Sequence, residues 1–191
     1  QPLDWISFKV DAADETTWRK TDRPHKSIDF SRMMTGIRTF AEGFEGTFTT
    51  ESMLIQGLND SREQIDALVS MIESLEPAKA YLSIPTRPPA ESWAVPADER
   101  AVAYAYGKLR AVVAHAENLI GYEGNEFTAT GDARADLLSI TSVHPMRREA
   151  VDELLQKDGS NEAVLRELLD AKELVEVDFE GHAYYVRGFR K

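Results

Sequence analysis

Residues 49–60 read TTESMLIQGLND. A polar start that carries Glu51 leads into the apolar run Met53–Ile55, and Gly57 ends the run. Polar residues at 59–61 then begin a helical pattern. The segment therefore predicts a strand that delivers polar groups at its carboxyl end and turns at once into a helix. In open α/β sheets and α/β barrels, ligands bind at such strand ends.

The chain on both sides of this segment alternates strands with helices. The predicted strands span 5–10, 46–56 and 80–84, and the predicted helices span 14–19, 27–42, 61–76 and 98–120. Asp14 or Thr16 is expected to cap the first helix, and Ser27 or Asp29 the second. Strand and helix alternation at this spacing indicates right-handed βαβ units and a parallel sheet, so the fold class is α/β.

The last sixty residues differ in pattern from the rest. A linker at 121–131 precedes two predicted helices, 145–156 and 160–171, and two alternating strands, 174–179 and 184–189. Two short helices followed by a hairpin are typical of a winged helix-turn-helix. We therefore expect two domains, 1–131 and 132–191, the second a small winged-helix-like α+β tail. Residues 132–191 hold 13 acids and 9 bases, which favours protein or intramolecular packing and leaves nucleic-acid contact as the alternative.

Composition restricts the function. The 191 residues carry a net charge of −11, which argues against a general polyanion binder but is compatible with a local basic groove. The absence of cysteine excludes disulfides, thiolate-bound zinc and thiolate-bound iron–sulfur clusters within this chain. We expect a cytoplasmic protein without a membrane span. The start at Gln1 leads almost directly into a strand, so we expect a piece of a larger protein, with a processed terminus as the alternative.

Four segments, taken in order, resemble a known family. They are SFKVD at 7–11, ESMLIQGLND at 51–60, PTRPP at 85–89 and ITSVHPMRREAV at 140–151. Together they resemble the C-terminal half of a radical S-adenosylmethionine (radical SAM) protein. The resemblance is to the iron–sulfur oxidoreductases related to the tRNA wyosine-base synthases, with similarity to glycyl-radical enzyme activases. It covers essentially the whole chain.

The resemblance implies a partial (βα)6 TIM-like barrel, of which this chain supplies strands four to six. In the family, an N-terminal CxxxCxxC loop binds a [4Fe-4S] cluster. The open iron of that cluster chelates SAM, and electron transfer cleaves SAM to a 5′-deoxyadenosyl radical that abstracts hydrogen from the substrate. Because the metal-binding cysteines are missing here, we expect the chain alone to be inactive.

The resemblance also suggests residues near SAM. Ser7, Lys9 and Asp11 alternate along the first strand and therefore point to one side of it. An ammonium suits the SAM carboxylate, and a hydroxyl or carboxylate suits ribose hydroxyls. The alternative is that Lys9 and Asp11 form an ion pair without a ligand.

The second strand and its turn supply the remaining cofactor candidates. Glu51 lies where relatives place a polar residue near SAM, and Gly57, Asn59 and Asp60 match the turn that passes close to the adenosine. A helix N-cap without any ligand role is the alternative for Asn59 and Asp60, and both roles can coexist.

The substrate candidates lie on two loops. Thr86 and Arg87 follow the third strand, where relatives approach adenine or substrate. Arg87 suits a phosphate or carboxylate, or is an exposed strap arginine. His25 lies in a loop that faces either substrate or solvent. The substrate itself stays open among tRNA, the glycyl site of a partner protein and a small metabolite.

A second hypothesis is a non-catalytic α/β adaptor that presents the winged-helix module to a protein or nucleic-acid partner. In the enzyme hypothesis the first partner is the missing N-terminal barrel half. The strand at 5–10 would then be an unpaired edge, and bare apolar edges recruit other chains. We therefore expect self-association of this chain through that edge or through the exposed barrel interior.

Overall fold

A computed structural model describes residues 3–121 and 124–188. The contacts divide the chain into two compact units, Gln1–Gly121 and Tyr122–Lys191. The expected domain boundary after residue 131 concerns the same linker and stays a prediction. Among the helices in these two described ranges, none has the length and the apolar composition that a membrane crossing needs.

The first unit is built on a four-stranded parallel sheet. Its strands are β1 (Trp5–Lys9), β2 (Thr47–Met53), β3 (Lys79–Ser83) and β4 (Ala116–Leu119). They lie in the order β1-β2-β3-β4, and each pairs in parallel with its neighbour. The α/β class and the three predicted strands are confirmed. The described sheet is open, and its closure into a barrel stays a prediction.

Each helix of this unit begins after a capping side chain, and Asp14 and Asp29 are two of the expected caps. The helices are α1 (Glu15–Thr21), α2 (Phe30–Gly43), α3 (Arg62–Glu73) and α4 (Glu99–Val112). The side chains of Asp14, Asp29, Ser61 and Asp98 accept the backbone N–H three residues on. Each cap satisfies one of the orphan donors of a first turn, which explains why these helices start where they do.

The core of this unit lies on one face of the sheet. Alternate strand residues on that face, including Phe8, Phe48 and Leu82, pack with apolar side chains of α2, α3 and α4. Sequential strand order with right-handed crossovers places successive helices on the same side, which accounts for this arrangement. The opposite face carries the other alternate residues, among them Lys9 and Glu51, which face each other in the register.

The prediction of a helix from 98 to 120 was wrong in its second half. The helix ends at Val112, Val113 is extended with φ −117°, and Ala116–Leu119 forms β4. Ala80 N donates to the His115 carbonyl at 2.9 Å, so this segment satisfies the otherwise open backbone edge of β3. Tertiary pairing outweighed the helical pattern, and the unit has four strands rather than three.

The second unit combines three helices with a small antiparallel sheet. The elements in chain order are α5 (Ala133–Thr141), β5 (Met146–Arg147), α6 (Arg148–Lys157), α7 (Glu162–Asp170), β6 (Leu174–Phe179) and β7 (His182–Arg187). The strand order is β5-β7-β6. A separate core built around Leu137, Leu154 and Leu168 holds the helices to the sheet.

Several details of this unit differ from expectation. Helix α5 was not predicted, although Asp132 caps it by accepting from Ala135 N at 3.0 Å. The helix expected from residue 145 begins at 148, because Met146 and Arg147 pair with β7 instead. Asn161, not Ser160, caps α7. Phe189, the predicted end of the last strand, lies outside the described residues.

Candidate functional site

Asn59 joins the carboxyl ends of β1 and β2. Its side-chain Oδ1 accepts from Ile55 N at 2.7 Å. Its Nδ2 donates to the carbonyls of Asp11 and Met53, each at 2.8 Å. Asn59 is buried, and Ser61 rather than Asn59 is the N-cap of α3. The amide therefore holds two strand ends and a turn in one geometry, which gives it a clear structural role.

The turn at Gly57 is fixed from the other side by Asp60. Gly57 has φ 71°, a left-handed conformation that glycine adopts without a steric penalty. Asp60 Oδ1 accepts the Gly57 N–H at 2.8 Å. The glycine conformation and the Asp60 side chain therefore hold the turn together.

Lys9 and Asp11 form an ion pair at the end of β1. Lys9 Nζ lies 2.8 Å from Asp11 Oδ2, with the lysine side chain 50% exposed and the aspartate 3% exposed. The other carboxylate oxygen of Asp11 accepts from Met53 N at 2.7 Å. The ion-pair interpretation of these residues is therefore confirmed as geometry, and the exposed ammonium still faces solvent.

A second aspartate adjoins this pair. Asp22, the C-cap residue of α1, shares a hydrogen bond with Asp11. Burial of the Asp22 carboxyl, together with that hydrogen bond and the charge of Asp11, raises its pKa to about 7, against a smaller opposing effect of Lys9. Two carboxyls from different elements thus meet beside Lys9, and the Asp22 carboxyl holds its proton more tightly than an isolated aspartate does. No local sequence pattern predicted this pairing, because the two residues lie on different elements.

The sheet face away from the helices collects the other candidates. Ser7 and Lys9 of β1 lie on it beside Thr49 and Glu51 of β2. The Ser83 hydroxyl of β3 donates to Glu51 Oε1 at 3.4 Å. The structure thus brings Ser7, Lys9 and Glu51 onto one face, whereas Gly57 and Asp60 lie in the turn beyond the strand ends.

The loop after β3 folds back over the turn that follows β2. Ile55 bridges Pro96, and Gln56 N donates to the Val95 carbonyl at 2.9 Å. Glu91 of this loop forms an ion pair with Arg23. The proline-rich segment 86–96 is therefore tied to the turn after β2 and, through Glu91, to Arg23 in the loop after α1.

These loops enclose a cleft of about 580 Å³, which we call the strap cleft. It is lined by Arg19, Lys20, Arg23, Gln56, Gly57, Leu58, Glu91 and Trp93. Only Gly57 among these lining residues was a candidate from sequence. Arg19 and Lys20 lie in α1, and Arg23 lies in the loop that follows it. No local sequence motif therefore predicts that these bases are neighbours of Trp93.

The predicted substrate residues are spread over two loops. Thr86 and Arg87 follow β3 and are partly buried. His25 is exposed, and its Nδ1 lies 2.8 Å from the Ser27 hydroxyl. None of the three lines the strap cleft, and their substrate roles stay predictions. Across the described ranges 3–121 and 124–188, no group of three His, Asp or Glu side chains is arranged to hold a metal ion.

The comparisons with known proteins concern most of this chain. No family model matches the sequence. A UPF0026 protein of Methanocaldococcus jannaschii is 31% identical over 190 residues, which are 98% of this chain and 59% of that protein. The chain thus spans well under two thirds of the length of this curated relative.

Two solved structures also share similarity with this chain. A domain of pyruvate-formate lyase-activating enzyme from Bacteroides vulgatus matches with a TM-score of 0.47 and 16% identity, over 63% of this chain and 68% of that one. A radical SAM methyltransferase from Sphaerobacter thermophilus matches with a TM-score of 0.49 and 20% identity, over 65% of this chain and 36% of that one.

Proposed function

We propose that this chain is part of a radical SAM enzyme and forms one wall of its SAM site. The observation that carries the proposal is the polar sheet face. Lys9 and Glu51 lie side by side on adjacent parallel strands, on the face that the core helices leave open. The order of the SFKVD, ESMLIQGLND and PTRPP segments, which resembles the family, supports the same assignment.

The residues present suit SAM but not its cluster. An exposed ammonium at Lys9 suits the methionyl carboxylate, and the Ser7 hydroxyl and Glu51 carboxylate suit ribose hydroxyls. The chain contains no cysteine, so it offers no thiolate for a [4Fe-4S] cluster. In this proposal the cluster ligands come from a segment that precedes the chain, and the chain alone does not cleave SAM.

The test uses the complete reading frame that encodes this chain. The proposal predicts an in-frame CxxxCxxC upstream of Gln1. After anaerobic reconstitution with iron and sulfide, the full-length protein should show the visible absorption of an iron–sulfur cluster and form 5′-deoxyadenosine from SAM. A reconstituted protein that stays colourless and leaves SAM intact would contradict the enzyme proposal.

One substitution connects that activity to the sheet face. Lys9→Ala should lower the yield of 5′-deoxyadenosine about tenfold at limiting SAM, because one charge-assisted contact is lost. Lys26→Ala, an exposed lysine away from this face, is the matched control and should leave the yield unchanged. Equal yields from both variants would remove Lys9 from the SAM site.

For the second unit we propose a winged-helix module that binds protein. The element order α5-β5-α6-α7-β6-β7 supports the module, since two adjoining helices precede a hairpin. The exposed side of α7 presents Arg166 beside Glu167 and Asp170. That acidic balance disfavours phosphate contacts. Retention of the chain on immobilised duplex DNA at 150 mM salt, lost in Arg166→Glu, would contradict the protein-binding role.

A further inference from the structure

We propose that the strap cleft binds a small ligand that carries both a phosphate and a flat aromatic ring, such as a nucleoside monophosphate. The cleft lies at the carboxyl edge of the parallel sheet, where α/β folds bind ligands. Its volume of about 580 Å³ falls within the range of small-molecule sites. This inference does not depend on radical chemistry or on SAM.

The charges of the strap cleft oppose those of the chain. Arg19, Lys20 and Arg23 line the cleft, and Glu91 is the one carboxylate among its lining residues. The chain as a whole has a net charge of −11. A concentration of bases in one cleft of an acidic protein focuses a positive potential there, which attracts a small anion. The strap cleft shares Gly57 with the cofactor candidates, but Ser7, Lys9 and Glu51 of the proposed cofactor face are not among its lining residues.

Two of these bases already form ion pairs with carboxylates, and an anionic ligand can displace those carboxylates. Arg19 pairs with Glu15 at 2.7 Å, and both side chains are substantially exposed. Arg23 pairs with Glu91, with side chains 60% and 42% exposed. Exposed pairs of this kind contribute little to stability. A phosphate, which accepts several charge-assisted hydrogen bonds, competes effectively for both guanidinium groups.

Trp93 supplies the aromatic part of the cleft. It lines the cleft and is 42% exposed, which is high for so large an apolar ring. A nucleobase stacks favourably on such a ring. A free phosphate would leave the indole exposed, whereas a phosphorylated aromatic ligand uses both the ring and the bases.

The primary experiment measures AMP binding to the 191-residue chain by calorimetry, without iron or SAM. We expect AMP to bind at least about tenfold more tightly than adenosine or inorganic phosphate. Adenosine lacks the phosphate that the bases would bind, and inorganic phosphate lacks the ring that would stack on Trp93. Trp93→Ala should weaken AMP binding, and Trp93→Phe should retain most of it. Absence of AMP binding would overturn the proposal, and so would AMP binding that ignores Trp93→Ala.

Charge variants test the basic part of the cleft. Lys20→Gln should weaken AMP binding about threefold to tenfold, while the exposed Lys26→Gln outside the cleft should not change it. Glu91→Gln should tighten AMP binding, since it frees Arg23 and removes a repulsive charge. Loss of affinity in Glu91→Gln, with an unchanged circular dichroism melting curve, would overturn the assignment.

The last experiment measures the binding of a short single-stranded RNA to the chain. We expect this RNA to bind more weakly than AMP, because the chain as a whole carries a net charge of −11. Tighter RNA binding that responds to Lys20→Gln would overturn the small-ligand assignment. None of these outcomes depends on whether the full-length protein cleaves SAM.

Discussion

Asn59 makes three hydrogen bonds from a buried position, and all three reach backbone groups at the ends of β1 and β2. No apolar side chain of similar size replaces them, since both carbonyls and the Ile55 N–H would be left without these partners. Buried polar groups without partners are costly to a fold. The residue therefore determines the shape of the edge at which the proposed ligands bind.

Asn59→Ala should lower the free energy of unfolding by about 2–4 kcal/mol, because several buried backbone groups lose their partner at once. Urea denaturation followed by circular dichroism measures this loss. Asn118→Ala, an exposed asparagine on β4, is the matched control and should change stability by less than about 0.5 kcal/mol. Similar midpoints for the two variants would show that the edge does not depend on Asn59.

The raised pKa of Asp22 predicts that the free energy of unfolding depends on pH. The folded-state pKa of about 7 lies above the ordinary value of 3.8, mainly because the carboxyl is buried. Between these two values the folded state binds the additional proton, so stability falls as pH rises from about 4 to about 7 and is flat above. Asp22→Asn should remove this slope and stabilise the protein at pH 8 relative to the wild type.

Melting temperatures measured at half-unit steps from pH 4 to pH 8 test this slope. Other carboxylates contribute their own pH dependence, so the difference between wild type and Asp22→Asn is the relevant quantity. Asp29→Asn is the matched control, because Asp29 is exposed and caps α2 through a hydrogen bond that asparagine also makes. A constant difference between wild type and Asp22→Asn across this range would contradict a raised pKa at Asp22.

Strand β1 forms one edge of the parallel sheet. It occupies one end of the strand order, and Trp5 on it is 53% exposed. The N–H of Val10 donates to β2, so alternation directs the N–H groups of Ser7 and Lys9 to the free side. An apolar edge with open donors is a template for a further strand.

Trp5→Lys should shift the chain toward monomer, because a charge at this position blocks edge-to-edge pairing. Sedimentation velocity over a tenfold range of concentration measures the distribution. Trp93→Lys alters a tryptophan of comparable exposure that lies off the edge, and it should associate as the wild type does. A wild-type chain that stays monomeric throughout would show that the β1 edge is already protected.

Helices α2 and α3 and strand β4 differ in how far the sequence predicts them. Helices α2 and α3 were predictable because an apolar stripe and a capping side chain agree in each. Strand β4 was missed because AENL has neither an apolar run nor alternation, and its residues are mostly exposed. What makes it a strand is the open backbone of β3, which no property of residues 116–119 reveals.

For the whole molecule, the sequence indicated the α/β class, the parallel sheet and a change of architecture before the last sixty residues. The polar sheet face was also predictable from the sequence, because side chains alternate along a strand and Ser7 and Lys9 therefore lie on the same side of β1. The strap cleft was not predictable, because its bases, its turn and Trp93 come from three separate segments of the chain. Loop conformation depends on long-range contacts such as Ile55 with Pro96, and local propensity does not encode them.

The strand order β1-β2-β3-β4 also has a consequence for how the chain folds. Each strand pairs with the one synthesised just before it, and paired residues lie only 30 to 42 positions apart. A growing chain on the ribosome can therefore add one strand and helix at a time to an existing edge. No strand of this sheet pairs with a segment that is distant in the sequence. The entropic cost of loop closure, which slows the folding of parallel sheets, is therefore divided among several short loops.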